Sequence, residues 1–234
     1  WDDHDYGANN AGEEYPQKAE SQQLLLDFLG VAEDDPRRMR AGVYASHTLG
    51  EPPRQIKIYL LDVRYHRDQP GPEGDLLGEA QWRWLARELG KSDAQLNLIV
   101  SGTQVLPADH EWDRWTAYPA AHQRLLELIR TSSKPGVVFL SGDRHFAELS
   151  AQEPEDLYPL YDLTSSGMTH YWHQLQHEPN SLRVGRLFKG LNFGLVEVFW
   201  DAPAGPLVRL QIRDQDSRPR ISLEFPLSRL AVAD

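Results

Sequence analysis

Short apolar runs that alternate with helical patterns constrain this chain most. Residues 56–62 (Ile-Lys-Ile-Tyr-Leu-Leu-Asp), 96–100 (Leu-Asn-Leu-Ile-Val) and 137–140 (Val-Val-Phe-Leu) are each too short for a core helix and read as buried strands. Between them, residues 77–89 place Gln81, Trp82, Leu85 and Leu89 at helical spacing before Gly90. Residues 120–130 do the same with Leu125, Leu126 and Ile129 before Pro135 and Gly136. Strand, helix, strand, helix, strand at these spacings predicts βαβ units and a parallel sheet with right-handed crossovers.

The flanking segments add to this frame. Residues 42–49 alternate loosely and meet Gly50-Glu51-Pro52-Pro53, a turn that predicts a hairpin with the strand at 56–62. Residues 21–30 carry a helix signature, with Ser21 as N-cap, Leu25, Phe28 and Leu29 on the apolar face, and Gly30 as the stop. Residues 160–167, 193–200, 207–213 and 221–225 read as consecutive strands without long helices between them, which predicts a second, antiparallel sheet. At 234 residues one sizeable core and a single domain over residues 1–234 are expected.

Charge narrows the function. The net charge of −11 disfavours binding to nucleic acid or to anionic membrane, and no nucleic-acid patch is expected. No apolar run approaches the roughly 20 residues that span a bilayer. An anionic substrate would need bound cations to reverse the local field. With no cysteine, any metal ligands must be oxygen or imidazole.

Two clusters carry the chemistry. Asp2, Asp3, His4 and Asp5 occupy four successive positions, where like charges repel unless a cation or a catalytic task holds them together. Asp143, Arg144 and His145 stand just past the carboxyl end of the strand at 137–140, where open α/β sheets place their ligands. Asp62 and Arg64 end another strand, and their spacing suggests a local ion pair that holds the loop. His110, Trp112, Trp115 and Tyr118 form an aromatic loop, read first as packing and second as a pocket wall. Ser165 and Ser166 lack the Gly-x-Ser-x-Gly surroundings of an activated nucleophile, and His170 and His173 read as surface or structural histidines.

Taken together, Trp-Asp-Asp-His-Asp-Tyr-Gly at 1–7, Leu61-Asp62-Val63-Arg64, Ser101-Gly102-Thr103-Gln104-Val105 and the run from Ser141 to Leu149 resemble the alkaline phosphatase D-like metallophosphatases, within the calcineurin-like group of two-metal phosphoesterases. The resemblance implies an α/β/β/α sandwich, incomplete at the amino terminus, because the family's first metal-binding segments have no counterpart here. The chain is therefore expected to be the carboxyl-terminal part of a longer enzyme, periplasmic or secreted by analogy. The activity it implies is metal-dependent hydrolysis of a small phosphate ester, a phosphodiester or phosphomonoester, by a metal-activated hydroxide.

The resemblance also assigns roles. Asp3, Asp143 and His145 fall on metal-ligand positions, and His4 on the histidine that protonates the leaving group. Arg144 suits a non-bridging phosphate oxygen, with pairing to Asp143 or Asp2 as the alternative. Asp2 and Asp5 would orient the ligands or add one, and Asn9 and Gln104 would line the site. Two metal ions are expected, calcium with iron by resemblance, with manganese or zinc also compatible with such ligands. Asn10 stands where the family pattern has an acidic residue. Two alternatives stay open: a degenerate, non-catalytic binding domain, and a carboxylate-based hydrolase using Asp2 or Asp3 as acid and base.

Overall fold

The computed structural model describes residues 1–231. In chain order its elements are α1 (Asp3–Tyr6), α2 (Lys18–Phe28), β1 (Ala45–Leu49), β2 (Ile56–Leu60), α3 (Gly78–Gly90), β3 (Leu96–Ser101), α4 (Pro119–Ser132), β4 (Val137–Ser141), β5 (Ala147–Gln152), β6 (Leu160–Ser165), β7 (Asn192–Phe199), β8 (Leu207–Asp214) and β9 (Pro219–Pro226). A six-stranded sheet runs β1-β2-β3-β4-β6-β5, and a three-stranded sheet runs β7-β8-β9. The β2, β3, β4 and β6 pairings are parallel, whereas β1 and β5 add antiparallel at the two edges.

Helices α3 and α4 cover one face of the large sheet, as their patterns predict. Gln81, Trp82, Leu85 and Leu89 are buried on α3, and Leu125 and Ile129 on α4. The Trp82 indole meets Trp115 edge to face at 6.1 Å, and each such buried aromatic contributes roughly 2–3 kcal/mol through burial alone. On the opposite face, Val208, Leu210, Ile212 and Phe225 of the small sheet join the same core, with Phe225 stacked on Tyr161 at 4.6 Å. The layering is helix, sheet, sheet: a metallophosphatase-type arrangement in which, among the described residues, no helix covers the outer face of the small sheet.

Two expectations change. Residues 160–165 do not belong to the second sheet: β5 runs out to the edge and turns back, so that β6 inserts parallel to β4 and antiparallel to β5. The burial of β6 on both faces explains why its apolar run could not reveal its partner. Helix α2 starts four residues early, with Gln17 rather than Ser21 at its N-cap, and it buries Gln22 and Leu26. Phe28 and Leu29 lie exposed, because the Gln22 amide instead anchors the carbonyls of Arg37 and Arg40 and accepts from the Gly42 N–H.

Candidate metal centre

Buried carboxylates fix the loops around the site. Asp62, 1% exposed at the end of β2, accepts the backbone N–H groups of Val43, Arg64 and Tyr65. Asp162 on β6 accepts those of Val105 and Leu106 and the Ser141 hydroxyl, which ties the loop after β3 to the end of β4. Burial raises the pKa of Asp162, the cost of placing an acid in an apolar core. The loop ends at β2, β3 and β4 thus stand on a hydrogen-bonded platform.

Arg64 does not make the expected side-chain pair with Asp62. Its guanidinium, wholly buried, reaches Asp2 Oδ1 through Nε at 2.8 Å and Nη2 at 2.6 Å, and Asp113 Oδ2 through Nη1 at 2.8 Å. The Asp62 carboxylate is saturated by backbone donors, so the arginine extends to the acids beyond the strand end. Its pKa balances burial, which lowers it, against Asp2 and Asp113, which raise it and prevail. Asp2 also needs Gly102 beneath it, since a Cβ at residue 102 would sit 2.9 Å from Asp2 Oδ1.

The two sequence clusters meet in space. Asp2, Asp3 and Asp143 each offer an oxygen, all within 4.8 Å of one another. Asp3, 4% exposed in the short helix α1, accepts the N–H of His4 through Oδ1 at 2.8 Å and that of Asn10 through Oδ2 at 2.9 Å. Asp143 sits in the turn between β4 and β5 at φ +69°, and His145 there has φ +54°. Asn10 opposite is also left-handed, at φ +55°. Non-glycine residues held in that region concentrate at functional sites. Burial, and then the charge of Asp2, push the Asp143 carboxyl up to about 7.

A cavity of about 240 Å³ lies beside the cluster, lined by Asp3, His4, Asn9, Asn10, Asp143, Arg144 and His145, with Trp112 and Trp172 at its wall. The two indoles meet edge to face at 5.4 Å. His4 is largely exposed, its Nε2 4.0 Å from Asp3 Oδ1. His145 is held below its usual pKa by burial and by His170, whose ring packs on it at 4.3 Å. His170 is exposed, in keeping with its reading as a surface or structural histidine, and the fold of the loop at 167–176 brings its ring against His145. Asp5 hydrogen-bonds the Asp2 N–H at 3.1 Å and lines a second groove rather than this cavity.

Arg144 pairs with neither Asp143 nor Asp2. Its partner is Glu178, both side chains being almost wholly buried, and the guanidinium lies 5.7 Å from the Trp112 ring centre and 5.2 Å from that of Phe146. Its Nε has no hydrogen-bond partner. Glu178 had no sequence signal, because it lies in an irregular segment far from any motif. Gln104 is wholly buried behind the site and donates to Glu148 Oε1 at 2.7 Å and Thr164 Oγ1 at 2.8 Å. It lines neither cavity. Of the aromatic loop, Trp115 and Tyr118 are core, His110 is buried with both ring nitrogens unpaired, and Trp112 faces the cavity.

The chain is similar to known phosphatases in sequence and in fold. The chain is 26% identical to alkaline phosphatase D of Bacillus subtilis (strain 168), over 71% of this chain and 33% of that protein. The solved structure of PhoD superposes with a TM-score of 0.69 at 17% identity, covering 100% of this chain and 53% of that one. A purple acid phosphatase from yellow lupin (Lupinus luteus) seeds gives 0.56 at 10% identity, over 94% of this chain and 39% of that one. The chain thus spans about a third of the curated relative and about half of the solved PhoD chain. The PhoD-like phosphatase family model matches residues 1–169, and with the carboxylate and histidine motifs inside that match, the chain belongs to the PhoD-like phosphatase family.

Proposed function

We propose that Asp2, Asp3 and Asp143, with His4, Arg144 and His145 around them, form a metal-assisted centre for hydrolysis of small phosphate esters, phosphodiesters included. The observation that carries this reading is the convergence of three carboxylates, from opposite parts of the chain, within 4.8 Å. The donor set fits a hard cation: all three candidate ligands are oxygens, and Asp143 resists ionising beside Asp2 unless positive charge joins them. Calcium, manganese, iron and zinc all accept such ligands. Bound there, a cation would supply positive charge to the phosphoryl oxygens and make a nucleophile available at neutral pH.

The remaining work falls to this chain's own side chains. His4, exposed at the cavity and carried on the same turn as Asp3, is placed to give a proton to the leaving oxygen. Arg144, clamped from behind by Glu178, offers its remaining donors to a non-bridging oxygen. Trp112 and Trp172 wall one side against water. Asp5 and Arg64 orient Asp2 through its backbone and its carboxylate respectively. Asn9 borders the space in which the ester group would lie.

A second reading, a metal-binding domain without turnover, is favoured by one detail. Among the described residues only one cluster gathers, and His145 is not part of it, where a two-metal site needs more ligands. Calorimetric titration with manganese, followed by hydrolysis of bis(p-nitrophenyl) phosphate with and without chelator, separates the two. Chelator-sensitive turnover that His4→Ala lowers at unchanged thermal stability is expected from the first reading. Metal binding without turnover supports the second, and turnover indifferent to chelator refutes the metal's role.

A further inference from the structure

Two solvent-reached indoles wall the cavity at the carboxylate cluster. Trp82 and Trp115 show the usual fate of such side chains, 1% and 0% exposed in the core. Trp112 is 50% exposed and Trp172 half-buried, and both border the space that holds Asp143, Arg144 and His145. A tryptophan left in water at a concave site keeps its apolar surface available to a ligand.

The backbone holds both in place. Asp113, next to Trp112, is clasped by Arg64 and Arg67, and the Arg114 guanidinium donates to the Trp112 carbonyl at 2.9 Å. The Trp172 N–H donates to the His145 carbonyl at 2.8 Å, which hangs its loop on the turn that carries the site. The indoles meet edge to face at 5.4 Å, so each limits the rotation of the other. Little side-chain entropy remains to be lost when a ligand lies against them.

Charge and size indicate what lies there. The Arg144 guanidinium stands 5.7 Å from the Trp112 ring centre, where a cationic ester group would meet it as a like charge. Asp113, the acid on this wall, already shares its charge between Arg64 and Arg67. An uncharged aromatic ring suits the wall better, since offset or edge-to-face contact with an indole adds to the gain from burial. A benzene ring fills a cavity of about 150 Å³, so the space of about 240 Å³ takes one ring and a phosphoryl group but no long acyl chain.

We propose that Trp112 and Trp172 form an aryl-binding wall, which makes this centre select phosphodiesters in which one ester group is a single uncharged aromatic ring. The inference rests on the phosphoesterase reading and deepens it by naming the substrate class. The ring lies against the indoles while the phosphoryl group meets Arg144 and the carboxylate cluster.

The test compares phenyl p-nitrophenyl phosphate with cyclohexyl p-nitrophenyl phosphate, which share a leaving group and differ in whether the other ester group is a flat aromatic ring. The ratio of their kcat/KM values, phenyl over cyclohexyl, is measured with manganese in the wild type and in Trp112→Leu. Trp172→Leu repeats the test if the first variant folds poorly. Intrinsic reactivity cancels when these ratios are compared between proteins. A fall of at least about threefold is expected from losing an aromatic pair. An unchanged ratio in the folded variants, with turnover still sensitive to chelator, overturns the aryl wall and leaves the phosphoesterase reading standing. No turnover of either ester by the wild type sinks that reading instead, and calorimetry then decides the wall alone. Diphenyl phosphate must bind more tightly than dicyclohexyl phosphate, and Trp112→Leu must shrink the difference. Equal affinities, or a difference that the folded variants leave untouched, overturn the proposal.

Discussion

Replacing Arg64 by Met is expected to destabilise the fold by about 3 kcal/mol. The guanidinium is fully buried and makes three charge-assisted contacts, two to Asp2 and one to Asp113. Removing one partner of a buried ion pair costs roughly 3–5 kcal/mol, because the other charge stays buried without compensation. The lower end applies, since the Asp2 side chain is 23% exposed and can rehydrate, whereas Asp113 at 9% cannot. Asp113 keeps Arg67 at 2.5 Å, which limits the damage further. In a chain this size about 3 kcal/mol corresponds to a fall in Tm of roughly 6–12 °C. Urea unfolding at pH 7 in chelator, with Asp113→Asn in a double-mutant cycle, measures it. A loss under about 1 kcal/mol, or coupling near zero, would refute the view that these pairs behave as a buried network.

Three further predictions follow from single residues. Burial, ahead of the nearby Arg144 and Arg114, lowers the His110 pKa to about 3, so between there and its ordinary 6.5 the unfolded chain binds the extra proton. Stability is then lost as pH falls through that window, by up to about 1.4 kcal/mol per unit, and a Tm profile from pH 6.5 to 4.5 should be flatter in His110→Phe. Asp143, raised to about 7, has the opposite sign: the metal-free fold holds the proton that the unfolded chain has released, so stability declines from about pH 4 to 7. In chelator, Asp143→Asn should remove that decline, and calorimetry should show it removing manganese binding as well. Gly136 has φ +73° with the Gln95 carbonyl 2.3 Å from a would-be Cβ, so Gly136→Ala should cost more than about 1 kcal/mol in urea unfolding.

Local periodicity reported the helices and strands well. Residues 77–89 and 120–130 became α3 and α4 with the predicted faces inward, because an amphipathic stripe and its burial are the same physical fact. The strands at 56–62, 96–100 and 137–140 appear as β2, β3 and β4, and the 42–49 segment forms the β1 hairpin. Residues 147–152 gave no expectation of β5, since Ala, Glu and Ser are weak strand formers that pair here for tertiary reasons. Helix α2 misled because a buried glutamine, Gln22, carries three hydrogen bonds and shares the inner face with Leu26, which turns Leu24, Phe28 and Leu29 outward.

By itself the sequence determined that Asp2, Asp3, His4 and Asp5 form one charged group and that Asp143 and His145 follow a buried strand, since adjacency and strand ends are written in chain order. Their meeting belongs to the tertiary structure. It depends on parallel β2, β3 and β4 ending side by side, on Gly102 leaving room for Asp2, and on Arg64 crossing from its own strand end to hold that carboxylate. The partners of Arg144 and of His145, Glu178 and His170, lie in irregular segments without periodicity, where only packing fixes what touches what.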